Sequence, residues 1–324
     1  MQIEHRHLVA FADNVVNLSR DDATKKREQV NTLRGRLEKH IAANPDFALV
    51  KMLHAGSVAK GTALRIVNDF DVAVYVRSAD APTDAGLIDW LADRLREAYK
   101  GLVDGDQIQP GTHCVTVTFK STGTVVDVVP VLYEDDPDDR GYLIARDTGE
   151  RLLTSVRLHI DFIRARKKAC DVHFAQTVRF VKWWIRTQEL AHGGQFRFKS
   201  FMAELLVADM VDSGVVLSDY VAGLEAFFNQ VVKTELQERV AFADFYDPSD
   251  LPVEGSDPIE IIDPVNPKNN AARLYTDADR LRIVDAADDA LDALAEARRA
   301  TTKARAVECW QVVLGERFKG EEAS

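Results

Sequence analysis

Two apolar, β-branched stretches of this 324-residue chain carry carboxylates where a strand normally places apolar side chains. The first is NDFDVAVYV, in which Asp69 and Asp71 flank Phe70, and the second is TVVDVVPVLY, which contains Asp127. The alternating valines predict a β-strand for each stretch. Because an isolated charge inside an apolar strand is unfavourable unless it has a partner, these carboxylates constrain the fold and the function more than any other feature.

Asp69 and Asp71 are predicted to share one face of their strand, about 7 Å apart at Cα, because side chains alternate along a strand. Two such anions repel each other, and Mg²⁺ favours this arrangement because it binds carboxylate and phosphate oxygens. A neighbouring strand that carries Asp127 would complete a site for two Mg²⁺ ions, with Mn²⁺ as a substitute, and such sites support in-line displacement at phosphorus. Two alternatives remain: a lone D-x-D is also typical of a turn, and Asp127 could accept hydrogen bonds from backbone or arginine.

Gly56 and Ser57 follow a further apolar stretch, FALVKMLHA, and open a short helical segment. Backbone N–H groups at a helix start, together with a hydroxyl, suit a bound triphosphate. A Gly-Ser pair alone is typical of an ordinary turn, and its position upstream of the D-x-D motif is what favours phosphate binding. His54 is predicted to be a packed histidine rather than a general base, because two metal ions already activate a hydroxyl.

The remaining pattern predicts an α+β fold in two domains. Apolar residues at helical spacing predict a long amphipathic helix over 21–44, interpreted as a spine across both domains, and another helix over 84–100. Two strand-like stretches joined at 121–123 predict a hairpin. We therefore expect a mixed domain over 1–147 and an all-helical domain over 148–324, with helices at 148–168, 171–190, 199–212, 217–231, 276–298 and 301–316.

A proline-rich segment over 247–270 interrupts these helices, because proline is excluded from helix interiors. We expect it to form a long loop folded against a cleft between the domains. The acidic run over 134–139 is predicted to be a solvated loop.

The net charge of −11 disfavours extended DNA or RNA as a partner, because binding a polyanion requires clustered lysine and arginine. A small phosphorylated substrate remains compatible with this charge. No stretch has the apolar length of a membrane helix, and the first residues lack a secretion signal, so we expect a cytoplasmic protein without membrane contact. The three cysteines are scattered and odd in number, which predicts neither a disulfide framework nor a zinc site.

The order of these motifs resembles a known family. GS-x₃-GT, followed by D-x-D and a third aspartate in VDVVP, is similar to the nucleotidyltransferases of the cGAS, DncV and oligoadenylate synthetase group. This group includes the bacterial CD-NTases of CBASS anti-phage systems and belongs to the polymerase-β-like superfamily. Further along the chain, RFVKWWIR, FKSFMAELL and IIDPVNPKNNAAR resemble other blocks of the family, in the family's order.

The resemblance implies a polymerase-β-like nucleotidyltransferase lobe with a mixed sheet and a helical lobe that closes the active-site cleft. It also implies Mg-dependent, template-independent transfer from ATP and other nucleoside triphosphates to form a cyclic di- or trinucleotide messenger for anti-phage signalling. Asp69, Asp71 and Asp127 would be the catalytic, metal-binding residues. A separate effector protein would read the product, and an activating partner, such as a HORMA-like protein, is left open.

Six residues of these motifs would then bind nucleotide in addition to the aspartates. Gly56 and Ser57 correspond to the phosphate-binding turn, and Lys199 and Ser200 would contact the β- and γ-phosphates of the donor. Asn270, with its neighbour Asn269, would contact sugar or base. Helix capping is the alternative for Lys199 and Ser200, and a turn role is the alternative for the asparagines.

Three other residues in these blocks are predicted to build the helical domain rather than the nucleotide site. Glu204, Lys182 and Trp184 are expected to hold the domain together. Phe201 fits either stacking on a base or packing in the core.

Three alternative functions share parts of this pattern. A tRNA CCA-adding or RNA-tailing enzyme has similar motifs, but its RNA substrate is disfavoured by the acidic charge. A drug-adenylylating enzyme is disfavoured by the long helical half. A catalytically inactive nucleotide sensor would normally have lost a metal ligand. The bases, the ring size, the 2′ or 3′ linkage and the oligomeric state do not follow from the sequence.

Overall fold

The computed structural model of the protein describes residues 2–44, 47–66, 69–78 and 84–322. The chain divides into two compact units: a sheet unit, Leu18–Asp161, and a helical unit that combines Met1–Asn17 with Phe162–Ser324. These boundaries differ from the sequence-based division after residue 147. Residues 1–17 lie with the later helices, and residues 148–161 lie with the sheet.

The chain begins in the helical unit with α1 (His5–Phe11) and a π-helical turn, Ala12–Val16. It then builds the sheet unit from two long helices, one short helix and several strands. These are α2 (Arg20–Ala43), β1 (Phe47–Ala55), α3 (Gly56–Lys60), β2 (Asp69–Ser78), α4 (Leu87–Ala98), β3 (Ile108–Pro110), β4 (Val115–Phe119), β5 (Thr124–Tyr133), β6 (Gly141–Ile144) and β7 (Arg151–Thr154).

Within the described residues, the strands form one mixed sheet in the order β1-β2-β5-β4-β3, and β6 pairs with both β5 and β7. The central strands β2 and β5 run parallel, whereas their outer neighbours are antiparallel. The predicted hairpin at 121–123 joins β4 to β5 and is confirmed. The sheet therefore brings the two carboxylate-bearing stretches together as direct neighbours.

One face of the sheet is covered by α2 and α4. The predicted helix over 21–44 is confirmed as α2. Its apolar residues are buried in the core of the sheet unit: Val30, Leu33, Leu37 and Ile41. Alternate residues of β2 and β5, such as Val72 and Val128, point into this core. The opposite face carries Ala73, Tyr75 and Val131 in a small separate cluster.

The predicted helix over 148–168 is wrong at its start. Arg151–Thr154 forms β7, which pairs with β6, and α5 begins only at Val156. The hydroxyl of Ser155 accepts a hydrogen bond from the backbone N–H of Leu158 at 3.2 Å, so it caps the start of the helix. Pairing with the preceding strand, β6, overrides the local helical pattern here.

The acidic run over 134–139 is not simply solvated, as its carboxylates have cationic partners. Asp139 pairs with Lys51, whose ammonium lies 4.9 Å from the ring centre of Tyr75 and 5.0 Å from that of Tyr133. Asp138 pairs with Arg140 at 2.8 Å. The run is therefore held against the sheet unit by ion pairs and cation–π contacts.

The helical unit continues from α5 (Val156–Cys170), which begins in the sheet unit and crosses the boundary. The other five predicted helices are confirmed within three residues at each end, and the proline-rich segment contains a single 3₁₀ turn, Pro248–Asp250. The helices are α6 (Val172–Ala191), α7 (Ser200–Asp212), α8 (Tyr220–Thr234), α9 (Asp277–Arg299) and α10 (Lys303–Leu314).

Trp184 lies at the centre of the helical unit and is fully buried, with Phe196, Phe198, Phe227 and Phe228 around its ring. This aromatic cluster confirms the prediction that Trp184 holds the unit together.

A buried ion pair joins α6 to α7. The ammonium of Lys182 donates a hydrogen bond to a carboxylate oxygen of Glu204 at 2.6 Å, and both side chains are at most 5% exposed. The predicted structural role of this pair is therefore confirmed as well.

Cys114, Cys170 and Cys309 are free thiols, as expected from their number and spacing. Across the described part of the chain, the helices are too short or too polar to span a membrane.

Candidate functional site

Asp71 and Asp127 occupy the same register position on the parallel strands β2 and β5. Their flanking residues, including Val72 and Val128, point into the core beneath α2 and α4. Because side chains alternate along each strand, both carboxylates lie on the opposite face of the sheet, beside each other. The expectation that the strand of Asp127 pairs next to the D-x-D strand is confirmed.

Asp69 lies two residues before Asp71 in β2, and its backbone is paired with Val125. Its side chain lies outside the part that the structure describes. The described side chains include Asp71 and Asp127 but not the third predicted ligand. Among these side chains, no three His, Cys, Asp or Glu residues form a metal-binding group. The metal-binding role of Asp69 stays a prediction.

Thr116 on β4 and Cys114, which directly precedes β4, lie beside the carboxylate of Asp127. Thr116 is the cross-strand partner of Asp127, and its hydroxyl donates a hydrogen bond to Oδ1 at 2.6 Å. The pKa of the Cys114 thiol is raised to about 11, mainly by burial and in smaller part by the negative charges of Asp127 and Asp71. Both residues were missed from sequence, because their position beside Asp127 depends on the register between β4 and β5.

Gly56 brings the Gly-Ser turn directly against Asp71. Its φ angle is +62°, and a Cβ atom at this position would lie 1.6 Å from Oδ2 of Asp71. A side chain is therefore excluded by the backbone conformation and by the carboxylate. Ser57 follows in the first turn of α3, and its carbonyl accepts a hydrogen bond from the N–H of Thr62 at 2.9 Å. The structure thus brings the predicted phosphate turn and the predicted metal ligand together.

His54 lies on the other side of β1 from this arrangement. It is in register with Val72, and its Nε2 is 3.0 Å from Oδ1 of Asn31 on α2. Burial lowers the pKa of His54, and the nearby Arg34 and Arg27 lower it further. These contacts support the interpretation of His54 as a packed histidine.

The carboxylates of Asp71 and Asp127 fit a divalent cation in chemistry and in placement. Mg²⁺ prefers oxygen ligands, and two like charges on neighbouring strands are unfavourable without a cation. The hydroxyl of Thr116 binds one oxygen of Asp127, which leaves Oδ2 as a further acceptor on the same carboxylate.

In the helical unit, Lys199 and Ser200 lie at the start of α7, where Lys199 is the N-cap residue. The backbone N–H of Lys199 donates a hydrogen bond to the hydroxyl of Tyr275 at 2.8 Å. Burial lowers the pKa of Lys199, and the positive charges of Arg197 and Arg273 lower it further. This concentration of positive charge at a helix N-terminus is suited to phosphate.

Arg197 and Arg273 were not identified from the sequence as neighbours of Lys199. The guanidinium of Arg197 lies 4.8 Å from the ring centre of Tyr275 and donates to the carbonyl of Leu274 at 2.9 Å. Arg197 precedes Lys199 by two residues in the chain, whereas Arg273 comes near only because the segment around Tyr275 packs against the start of α7.

Asn270 is bound within its own loop. Its Nδ2 donates to Asp257 at 2.9 Å and to the carbonyl of Ile259 at 2.8 Å, and its Oδ1 accepts from the N–H groups of Ile261 at 3.1 Å and Ala272 at 2.9 Å. These four hydrogen bonds occupy both donors and both acceptor positions of the amide, as expected for the turn interpretation. Contact between Asn270 and a nucleotide stays a prediction. The neighbouring Asn269 donates to Asp263 at 3.1 Å.

Comparison with known proteins gives a consistent result. Residues 1–164 match the family described as the Second Messenger Oligonucleotide or Dinucleotide Synthetase domain. Over 319 residues, the chain is 49% identical to a cyclic AMP-AMP-AMP synthase of Escherichia coli strain MS 115-1, and the match covers 98% of each protein.

Solved structures of related proteins have the same fold. CdnC of E. coli MS 115-1 has been solved with ATP (TM-score 0.87, 49% identity) and as a complex with HORMA-deltaN (TM-score 0.88, 48% identity). Both comparisons cover 98% of this chain and 99% of the other. DncV of Vibrio cholerae, at 12% identity, has a TM-score of 0.73 over 98% of each chain, which shows a shared fold alone.

Proposed function

This chain belongs to the Second Messenger Oligonucleotide or Dinucleotide Synthetase family, and from that membership we propose that it joins three ATP molecules into cyclic AMP-AMP-AMP. It is a nucleotidyltransferase that makes a cyclic oligonucleotide. The choice of product is transferred from the E. coli synthase, which is similar to this chain over 98% of its length. The product would act as a messenger for a separate effector protein in anti-phage defence.

The observation that carries this proposal is the register pairing of Asp71 with Asp127, beside a Gly-Ser turn that touches Asp71. Carboxylates on one face of neighbouring strands form a divalent cation site, and the turn offers backbone N–H groups to phosphate. Strand alternation supports Asp69 as the third ligand. We assign these three aspartates to two Mg²⁺ ions, with Mn²⁺ as a substitute.

The chemistry is transfer of an adenylyl group. A ribose hydroxyl of one nucleotide attacks the α-phosphorus of a second, the bond to pyrophosphate breaks, and the hydroxyl proton is released. Bound divalent cations supply positive charge that lowers the pKa of the hydroxyl and stabilises the leaving pyrophosphate. The protein contributes orientation and fixed charge, and repetition followed by ring closure gives a product without free ends.

Lys199 and Ser200 are proposed to contact the triphosphate of a bound nucleotide. A cation and a hydroxyl at a helix N-terminus stabilise charge on phosphate oxygens, and Arg197 and Arg273 add to the local positive potential. A bound polyanion would raise the lowered pKa of Lys199, because a nearby opposite charge favours the ammonium form.

An activating protein is part of the proposal. CdnC of E. coli MS 115-1 forms a complex with HORMA-deltaN, and this chain resembles that protein over nearly its full length. We propose that a HORMA-domain protein binds this chain and stimulates synthesis. Assays should therefore be made with the protein alone and with HORMA-deltaN.

A product assay tests the proposed function directly. The protein is incubated with Mg²⁺ and each of ATP, GTP, CTP and UTP, singly and mixed, and the reactions are treated with phosphatase before mass spectrometry. We expect a phosphatase-resistant compound with the mass of three AMP units, formed from ATP alone. Asp71→Asn serves as the inactive control.

Two results would overturn the proposal. Extension of added RNA in place of a cyclic product would identify an RNA-tailing enzyme. Absence of turnover with Mg²⁺ and with Mn²⁺, in the presence of HORMA-deltaN, would identify a nucleotide-binding protein without this activity.

A further inference from the structure

We propose that Thr116 is a positioning residue that orients the carboxylate of Asp127 for metal binding, an inference that rests on the proposed function. Thr116 lies on β4, directly opposite Asp127 on β5. Its hydroxyl donates to Oδ1 of Asp127 at 2.6 Å. No part of the motif resemblance assigns a role to this threonine.

The side chain of Thr116 is aimed at Asp127 by the strand itself. Its neighbours Val115 and Val117 are fully buried in the core beneath α2 and α4, so the side chain of Thr116 lies on the carboxylate face. A β-branched side chain has a restricted χ1 angle, which fixes the direction of the hydroxyl. The donor is therefore pre-positioned rather than recruited when a cation binds.

The hydrogen bond restricts the one soft torsion of the carboxylate. The χ2 rotation of an aspartate is broad and nearly two-fold, so an unrestrained carboxylate samples many orientations. A hydroxyl donates a single proton, and here that proton is directed at Oδ1. Oδ2 is then held in a defined direction with its lone pairs directed away from Thr116.

Because Asp127 lies beside Asp71, a fixed orientation of its carboxylate favours binding of one cation by both residues. Asp71 and Asp127 are in register, and the Asp71 carboxylate is packed against the α-carbon of Gly56. One carboxylate is thus fixed by the Gly-Ser turn, and the other by Thr116. Groups that hold metal ligands in place typically contribute 10- to 100-fold to metal affinity.

Manganese binding to the nucleotide-free protein tests the inference. Bound Mn²⁺ is measured by electron paramagnetic resonance as the metal alone is titrated, and the fraction lost in Asp127→Asn defines binding at this site. Thr116→Val removes the hydroxyl and keeps the branched shape. We expect Thr116→Val to weaken Mn²⁺ binding about 10-fold or more, and Thr116→Ser, which restores the donor, to stay within about 3-fold of the wild type.

A matched control is available on the same strand. Thr118 faces Val125 rather than a carboxylate, so Thr118→Val makes the same chemical change two residues away. We expect Thr118→Val to leave Mn²⁺ binding unchanged. In turnover assays, Thr116→Val should require about 10-fold more Mg²⁺ for half-maximal rate and recover at high Mg²⁺. Simple loss of folded protein would not be rescued in this way.

The outcomes separate this inference from the proposed function. Wild-type Mn²⁺ affinity in Thr116→Val, with binding lost in Asp127→Asn, would overturn the positioning role alone. Unchanged binding in Asp127→Asn would overturn the metal assignment and the role of Thr116 together. Weaker binding in Thr116→Val, in a protein whose product is not cyclic, would support the positioning role while the proposed function fails.

Discussion

Asp71 and Asp127 face each other across two parallel strands, at the same register position and on the sheet face opposite the core. Two carboxylates in this arrangement repel each other. A divalent cation converts the repulsion into attraction. Binding of a divalent cation would therefore account for the charged residues in these two valine-rich strands.

The first prediction concerns these carboxylates. Asp71→Asn or Asp127→Asn should lower kcat by about 10³-fold or more, because charge stabilisation at phosphorus is lost. In the absence of metal, the melting temperature should stay the same or rise, because a like-charge repulsion is removed. Mg²⁺ should raise the melting temperature of the wild type and not that of either variant. Calorimetry with and without Mg²⁺ checks both points.

Gly56 leads to the second prediction. In Gly56→Ala, the new methyl group would overlap Oδ2 of Asp71, so the carboxylate must move. Turnover should fall by about 10²-fold or more, since a misplacement of about 1 Å is enough for such a loss. Gly35→Ala in α2 is the matched control, because a Cβ there meets no atom within 4 Å and alanine favours helix. Equal activity of the two variants would contradict the role of the Gly-Ser turn.

The third prediction uses the ionisation of Lys199. Its pKa lies below the ordinary 10.5 because of burial and because of Arg197 and Arg273. As pH rises through this lowered pKa, the ammonium loses its proton and the KM for ATP should increase. Lys199→Arg keeps its charge and should show no such increase over the same range, whereas Lys199→Ala should have a raised KM at every pH.

The same pKa shift should make the folded protein more stable as pH rises, although it weakens the binding of ATP. Between the lowered pKa and 10.5, the unfolded chain binds more protons at Lys199 than the folded chain does. The free energy of unfolding contributed by this residue should therefore rise with pH in that window.

A KM for ATP that is identical in the wild type and Lys199→Ala would remove this residue from the nucleotide site.

The buried pair of Lys182 and Glu204 gives a prediction about stability alone. Removing one partner by Lys182→Met leaves a buried carboxylate without its cation and should lower the free energy of unfolding by about 3–5 kcal/mol. The double variant Lys182→Met with Glu204→Leu removes both charges and should be more stable than the single variant. Urea unfolding measures both. A smaller loss of unfolding free energy in the single variant than in the double variant would contradict the assignment of Lys182 and Glu204 as a buried ion pair.

The last prediction separates the two roles considered for Asn270. Asn270→Ala removes four hydrogen bonds within the loop and should lower the free energy of unfolding by about 1–3 kcal/mol. At temperatures well below unfolding, the KM for ATP should be unchanged. A raised KM in a fully stable protein would instead support direct contact with the nucleotide.

Several parts of the fold follow from the sequence because they depend on local periodicity. The apolar positions of α2 and the separate strands of the aspartates could be predicted in this way. The short strands β6 and β7 could not, since four residues carry too little periodicity to distinguish a strand from the start of a helix. The helix assigned to 148–168 shows the consequence, because Arg151–Thr154 forms a strand that pairs with β6.

The candidate site also contains residues that the sequence identifies and residues that only the structure reveals. The motif spacing identifies Asp71, Asp127 and Gly56, yet it does not reveal that Gly56 touches Asp71. Thr116 is an ordinary strand threonine in the sequence, and only the register of β4 with β5 places it against Asp127. Residues whose role is to support others are therefore the part of a site that sequence patterns predict least well.

Anomalous diffraction at the manganese edge would test the central claim most directly, using crystals grown with Mn²⁺ and a non-hydrolysable ATP analogue. The account predicts anomalous peaks within coordination distance of carboxylate oxygens of Asp71 and Asp127, with Asp69 as a further ligand. A bound nucleotide with its manganese peaks away from these carboxylates, or with none, would contradict it.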